Sequence, residues 1–232
     1  MSRAEELAAN LAAVQARIAT AATAAGRDPA EVGLVVVTKY FPASDVRLLA
    51  GLGVAEVGEN RHQEAEAKAA ECADLGLRWH FIGGLQSNKA AAVAGYADVV
   101  ESVDRPKLIA PLDRGAAARG AVVDVLVQVS LDPPGRDQRS GVEPAGLLDL
   151  AAAVEEADHL RLAGLMAVAP LGEDPAAAFA RLADLRAELL ADHPGATTLS
   201  AGMSGDLEQA VAVGATHVRI GSAILGSRPR VQ

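Results

Sequence analysis

Apolar and polar positions along the chain follow two periods that take turns. Leu7, Leu11, Val14 and Ile18 recur on one stripe with Gln15 and Arg17 off it, which predicts a helix over residues 3–24 that Gly26 ends. The next run, Gly33-Leu34-Val35-Val36-Val37-Thr38, is short, β-branched and apolar at successive positions, as in a strand covered on both faces. Further strands are predicted at 54–57, 78–82, 98–101, 122–129, 162–167, 198–201 and 217–220. Helices are predicted between them at 44–52, 61–75, 87–94, from Pro106 onward, 144–157, 175–190, 204–213 and 221–225. Ser44 is a candidate N-cap, and Pro106 suits a helix start because its missing N–H costs little there. Residues 132–141, Asp-Pro-Pro-Gly-Arg-Asp-Gln-Arg-Ser-Gly, read as a long loop.

Eight short strands separated by helices in 232 residues predict an α/β fold, a single (β/α)8 TIM-type barrel with an extra N-terminal helix. Such barrels run to about 250 residues, and no composition break divides 1–232 into two domains. The competing architecture is an open doubly wound sheet. It wants a G-x-G-x-x-G turn after the first strand, where this chain has Thr38-Lys39-Tyr40-Phe41-Pro42. Half the residues are hydrophobic but only 3% are aromatic, so the core must be built from Ala, Val, Leu and Ile. A net charge of −9 with no basic, aromatic-interleaved stripe speaks against a nucleic-acid partner. No apolar run approaches a membrane span, and Glu5 and Glu6 interrupt any signal peptide. The single cysteine, Cys72, excludes an internal disulfide, has no His or Cys at ligand spacing and suits a reducing cytoplasm.

In such barrels the working residues sit at the C-terminal ends of the strands. Those ends are Lys39, Asn60, Gly83-Gly84, Ser102, the 132–141 loop, Met166, the 200–206 loop and Gly221-Ser222. An amine seated over an apolar floor can serve as a nucleophile; the plainer reading of Lys39 is a surface lysine at a strand end. Gly202-Met203-Ser204-Gly205-Asp206 and Arg219-Ile220-Gly221-Ser222 each place small residues and a hydroxyl before a helix start, where free N–H groups favour phosphate. Taken singly, Ser204 reads as an N-cap and Gly221 as a tight turn. Taken together, at adjacent strand ends beside strand one, they favour a phosphorylated ligand. An aldehyde on that ligand would let Lys39 form a Schiff base, as pyridoxal phosphate does. His80 alternates with Phe81, so it can face the barrel interior, either as a hydrogen-bonded core histidine or behind the site. Ser87 or Asn88 would cap the helix that follows. His62 and Glu66 are i, i+4 on a charged helix and read as a chance pair, not a metal site.

Several of these segments also carry a resemblance: Val36-Val37-Thr38-Lys39, Gly58-Glu59-Asn60 with Gln63-Glu64, His80-Phe81-Ile82-Gly83 with Leu85-Gln86-Ser87-Asn88-Lys89, Gly164-Leu165-Met166, Gly202-Met203-Ser204-Gly205-Asp206 and His217-Val218-Arg219-Ile220-Gly221. Over about residues 5–226 the chain resembles the pyridoxal phosphate homeostasis protein family. The resemblance implies a barrel like the N-terminal domain of alanine racemase, with Lys39 as the cofactor lysine. It places Met203, Ser204, Gly221 and Ser222 around the phosphate, Arg219 beside the ring nitrogen or the phosphate, and Asn60 facing the cofactor. It implies a carrier that binds and buffers pyridoxal 5′-phosphate, with apo-enzymes as recipients, and no established catalysis. The chain departs from the family at Val57, where Phe is common, at Arg61-His62, where Tyr-Val is common, and at Arg139, where many members have Lys.

Chemistry gives a separate argument about turnover. A racemase needs two acid–base groups on opposite faces of the substrate carbon. Lys39 supplies one. Tyr40, as a strand neighbour, is expected to point to the other face, and Tyr96 lies at a predicted helix end. Three readings stand: a pyridoxal phosphate carrier, a small racemase or lyase using the same cofactor, and a phosphosugar isomerase using Lys39. The exposed face of the first helix shows no clear apolar seam, so a monomer is expected.

Overall fold

In the computed structural model, which describes residues 1–133 and 140–227, eight parallel strands close into a barrel in chain order. They are β1 (Gly33–Val37), β2 (Glu56–Glu59), β3 (Arg78–Phe81), β4 (Val99–Val103), β5 (Val123–Gln128), β6 (Leu160–Met166), β7 (Thr198–Ser200) and β8 (His217–Ile220). The helices are α1 (Arg3–Ala24), α2 (Ala43–Gly51), α3 (His62–Glu71), α4 (Ala90–Ala94), α5 (Ile109–Arg119), α6 (Leu147–Glu155), α7 (Pro175–Asp192), α8 (Leu207–Ala212) and α9 (Ser222–Leu225). The predicted TIM-type barrel is therefore the observed fold, and β8 closes it by pairing with β1, Val36 opposite Ile220. Arg139 and most of the 132–141 loop lie outside the described residues.

The strands read as apolar on both faces, yet the two faces differ. Val36, Val57, Trp79, Val218 and Ile220 point outward into the helix layer, as do Val123, Val125 and Val127 of β5. Inside the barrel, among the described residues, Val99, Leu126 and Met166 form a small apolar cluster. The other inward positions include His80, Glu101, Ser200 and Arg219, all buried. A polar column of this kind is stable only when its groups satisfy one another.

α1 buries Leu7, Leu11, Val14 and Ile18 and starts with a capping box between Ser2 and Glu5. It ties down the C-terminal mouth: Asn10 Nδ2 donates to the Ile224 carbonyl (2.9 Å), Arg3 Nη2 to the Leu225 carbonyl (3.0 Å) and Arg17 Nη2 to the Ser204 carbonyl (3.2 Å).

Several predicted boundaries move. α2 begins at Ala43 with Pro42 as its N-cap, so Ser44 lies inside the helix. α4 is capped by Lys89 without a side-chain bond, because the chain first turns through Lys89 N–H to the Gln86 carbonyl; neither Ser87 nor Asn88 caps it. β4 extends to Val103 with a register irregularity against β5, which puts Ser102 within the strand and not at its end. α8 starts at Leu207, because residues 203–206 close a separate turn in which the Asp206 carboxylate accepts the Met203 N–H at 2.6 Å. Ser204 is therefore not an N-cap. Among the described residues no helix is long and apolar enough to cross a membrane.

Candidate functional site

The β1–β8 pairing decides what lies at the C-terminal mouth. A cavity of about 300 Å³ opens there, with Val37, Lys39 and Tyr40 on one side and Met203, Ser204, Gly205, Gly221 and Ser222 on the other, and Arg219 lines it from β8. Close approach of the two sides needs a glycine: a Cβ at Gly221 would stand 3.1 Å from the Val37 carbonyl oxygen and 3.3 Å from its Cβ. Gly202 is required for a different reason. Its φ is +92° and a Cβ would meet Ala210 Cβ at 2.7 Å, so only glycine lets the β7–α8 turn fold onto α8.

The donors in this cavity are of three kinds. One is the Lys39 amine, half-buried just past the end of β1. The second is a pair of amide-rich turns. The Ser204 and Gly205 amides have no hydrogen-bond partner among the described residues, and the Ser222 and Ala223 amides open α9, where no intrahelical acceptor exists. The hydroxyls of Ser204 and Ser222 stand beside them. The third is Arg219, whose Nη1 donates to Ser200 Oγ (2.7 Å) and Nη2 to the Ala167 carbonyl (2.9 Å), leaving Nε–H without a hydrogen bond among the described residues. Burial pulls the Arg219 guanidinium below its ordinary range, and the charges of Glu101 and Asp206 oppose that.

The segment carrying Lys39 is pinned from outside the barrel. Lys68 of α3, 5% exposed, sends Nζ to Glu59 Oε1 (2.5 Å), to the Thr38 carbonyl (2.9 Å) and toward Glu64 Oε1 (3.3 Å). Thr38 Oγ1 donates to Glu59 Oε1 at 2.6 Å, and the Tyr40 amide donates to Glu64 Oε1 at 2.7 Å. Burial pushes the Glu59 carboxyl up, and Lys68 and Thr38 recover part of the shift. The residues on both sides of Lys39 are thus bonded to one buried ammonium cluster.

Tyr40 corrects an expectation. Its φ is +71°, the left-handed region that a bulky side chain enters only under constraint. The strand alternation ends before it, so Tyr40 does not turn away from Lys39 but lines the same cavity. Its ring lies against Arg61, whose guanidinium carbon is 5.1 Å from the ring centroid. Asn60 directly follows β2. It is not among the cavity's lining residues. Its backbone packs on Gly83 so tightly that a Cβ there would be 2.2 Å from the Asn60 carbonyl oxygen. Tyr96 stands apart, stacked on His62 at 5.9 Å, its hydroxyl buried and its pKa raised by desolvation. His80 faces inward as a bonded core histidine, Nδ1 at 2.7 Å from Glu101 Oε1. Among the described residues no group of three or more His, Cys, Asp or Glu could hold a metal, and His62–Glu66 is an isolated 3.7 Å contact.

Sequence reasoning singled out neither Lys68 nor Glu101, and it gave Glu59 and Ser200, though they fell within quoted segments, no role of their own. Glu101 and Ser200 sit inside runs that read as strand core. Lys68 sits in a helix that reads as solvated.

One cavity thus joins an amine, a guanidinium N–H and two turns of unpaired amides with hydroxyls. That set matches a ligand with an aldehyde, a ring acceptor and a phosphate, and pyridoxal 5′-phosphate has all three.

The barrel with these turns after β7 and β8 defines the class, and the class has a name: the profile of the family "Alanine racemase, N-terminal domain" matches residues 9–229. Alanine racemase of Corynebacterium glutamicum shares the fold, with a TM-score of 0.65 at 17% identity over 98% of this chain and 63% of that one. Within the class the likeness is closer. The pyridoxal phosphate homeostasis protein of Pseudomonas aeruginosa is 47% identical, covering 96% of each chain. PipY of Synechococcus elongatus, solved with PLP bound, is 37% identical with a TM-score of 0.81, over 95% of this chain and all of that one. The chain belongs to the pyridoxal phosphate homeostasis protein family.

Proposed function

We propose that this protein binds pyridoxal 5′-phosphate at the C-terminal mouth of the barrel and holds it for delivery to apo-enzymes within the cell. The observation that carries the reading is the single cavity shared by Lys39, Arg219 and the turns at Ser204-Gly205 and Gly221-Ser222. Lys39 is the covalent attachment point for the cofactor aldehyde. The Ser204, Gly205, Ser222 and Ala223 amides take the phosphate, with Met203 and Gly221 shaping the turns. Arg219 places Nε–H at the ring nitrogen. The whole chain acts as one cofactor-binding domain, and one copy supplies every contact, so a monomer suffices. Support comes from the family and from the PLP-bound PipY structure.

Bound pyridoxal phosphate supplies an aldehyde for the amine and an electron-withdrawing ring. A permanently charged donor at the ring nitrogen keeps that nitrogen unprotonated and weakens the withdrawal. Storage follows more readily than turnover. Tyr40 supports the alternative of a small racemase or lyase, because it shares the cavity with Lys39.

The test is an absorption spectrum of purified protein with added pyridoxal phosphate, before and after borohydride, for wild type and Lys39→Ala. A visible band that reduction removes and the variant lacks is expected. No band in wild type refutes the reading. Racemisation or cleavage of amino acids well above the rate with free cofactor, abolished in Tyr40→Phe, would replace the carrier with the enzyme.

A further inference from the structure

A hydrogen-bonded chain crosses the barrel interior behind the cavity, and the donor of its first bond fixes the direction of the next. Arg219 on β8 can only donate, so Ser200 Oγ on β7 accepts from Nη1 at 2.7 Å. The single Ser200 hydroxyl proton then goes to Glu101 Oε2 on β4, at 2.6 Å. The other carboxylate oxygen, Oε1, meets His80 Nδ1 on β3 at 2.7 Å. Glu101 is fully buried and its Oε2 lies 3.6 Å from Arg219 Nη1, so the two are a buried ion pair bridged by a hydroxyl. The charged and titratable groups around Arg219 are Glu101 and Asp206; those around Glu101 are His80, Arg219 and, at longer range, His217. Ala167, the other Arg219 partner, contributes only a carbonyl.

We propose that Glu101 is the positioning residue of the ring contact: acting through Ser200, it fixes the Arg219 guanidinium and keeps its charge facing the cavity. The inference rests on the reading of the site given above, in which Arg219 faces the cofactor ring. It adds that the electronic state of the ring is set by a carboxylate on the far wall of the barrel that never touches the cofactor. The arrangement follows from burial. A guanidinium with no counter-charge in a dry interior cannot shed its proton, so it moves toward water. Glu101 supplies that counter-charge inside the barrel, and its two oxygens are held by His80 and Ser200.

Glu101→Gln keeps the shape and removes the charge, whereas Ser200→Ala keeps the charge and removes the bridge. Two readouts separate this role from a merely structural one. In the cofactor-free protein, the Arg219 Nε–H resonance, assigned by its loss in Arg219→Lys, exchanges slowly with solvent in wild type and about tenfold or more faster in either variant. With ¹⁵N-labelled pyridoxal phosphate, the ring nitrogen stays unprotonated from about pH 6 to 9 in wild type and takes up a proton within that window in Glu101→Gln. In Glu101→Asp, which restores the charge, it stays unprotonated. Arg219 exchange and ring-nitrogen signals that match wild type in folded variants overturn the proposal. If Glu101→Gln does not fold, Ser200→Ala decides by the same two signals. A wild type that takes up no cofactor refutes the reading of the site instead, and the Arg219 exchange still tests the chain.

Discussion

Lys68→Met tests whether the buried ammonium cluster holds the Lys39 segment in place. Methionine keeps the length and apolar stem of the lysine and removes only its donors. The Lys68 ammonium serves Glu59, the Thr38 carbonyl and Glu64. Without it, Glu59, 1% exposed, keeps the Thr38 hydroxyl as its one bonded partner. Breaking a buried pair on one side costs about 3–5 kcal/mol. The cost has a ceiling, because Glu59 can take up a proton. From an ordinary value of 4.5, neutralising it costs about 4 kcal/mol at pH 7.5 and about 1.4 kcal/mol at pH 5.5, at roughly 1.4 kcal/mol per pH unit. The sign follows from the direction of the shift. Burial raises the folded-state value above the unfolded one, so protonation favours the fold, and the variant regains stability as pH falls through that raised value toward 4.5. Urea unfolding at the two pH values reads this directly. The expected loss is about 4 kcal/mol at the higher pH and about 1–2 at the lower. Adding Glu59→Gln to Lys68→Met should recover most of it, since replacing both partners leaves no unpaired buried charge. A loss under about 1 kcal/mol at pH 7.5, or one that does not change with pH, would refute the reasoning. The same variant should bind cofactor more weakly, because Tyr40 at φ +71° holds a backbone state that costs about 1–2 kcal/mol and relaxes once its neighbours are released.

Two other outcomes follow from single distances and one shifted carboxyl. Gly221→Ala puts a methyl 3.1 Å from the Val37 carbonyl, so the β8–α9 turn must withdraw by a few tenths of an ångström. Cofactor affinity, read by titrating the visible band, should fall about tenfold, while thermal stability changes by no more than about 1–2 kcal/mol. Burial disfavours ionisation of Glu101, but the bond and charge of His80, with Arg219 and Ser200, outweigh it and hold the carboxyl at about 2. A folded value below the ordinary 4.5 means stability that is complete above that pH and is lost on acidification from there toward 2, about 3 kcal/mol in all. Acid titration of the unfolding free energy should show this loss in wild type and not in Glu101→Gln.

What was legible in the sequence, and what was not, divides along a physical line. The strand runs and the lysine that ends the first of them are local patterns, and closure of the barrel follows from their number. The amide-rich turns after β7 and β8 were visible as glycines and hydroxyls at adjacent strand ends, and the structure brings Lys39, Met203, Ser204, Arg219, Gly221 and Ser222 to one cavity. Alternation failed at Tyr40, because a strand's period says nothing about the residue where the chain leaves it. The buried charges failed for a different reason. Glu59 meets Lys68 only when α3 packs on β2, and Glu101 meets Ser200 and Arg219 only when strands from opposite sides of the barrel close around it. Read along the chain, Lys68 is one more charge on a polar helix and Glu101 an interruption in a valine run. In a closed barrel both become necessary, because each offsets a charge that the site places out of water. The column inside the barrel bonds the Arg219 guanidinium to Ser200 and Ala167, and the cluster outside it bonds the backbone on both sides of Lys39, so both charged groups of the cavity depend on contacts that no local pattern announces.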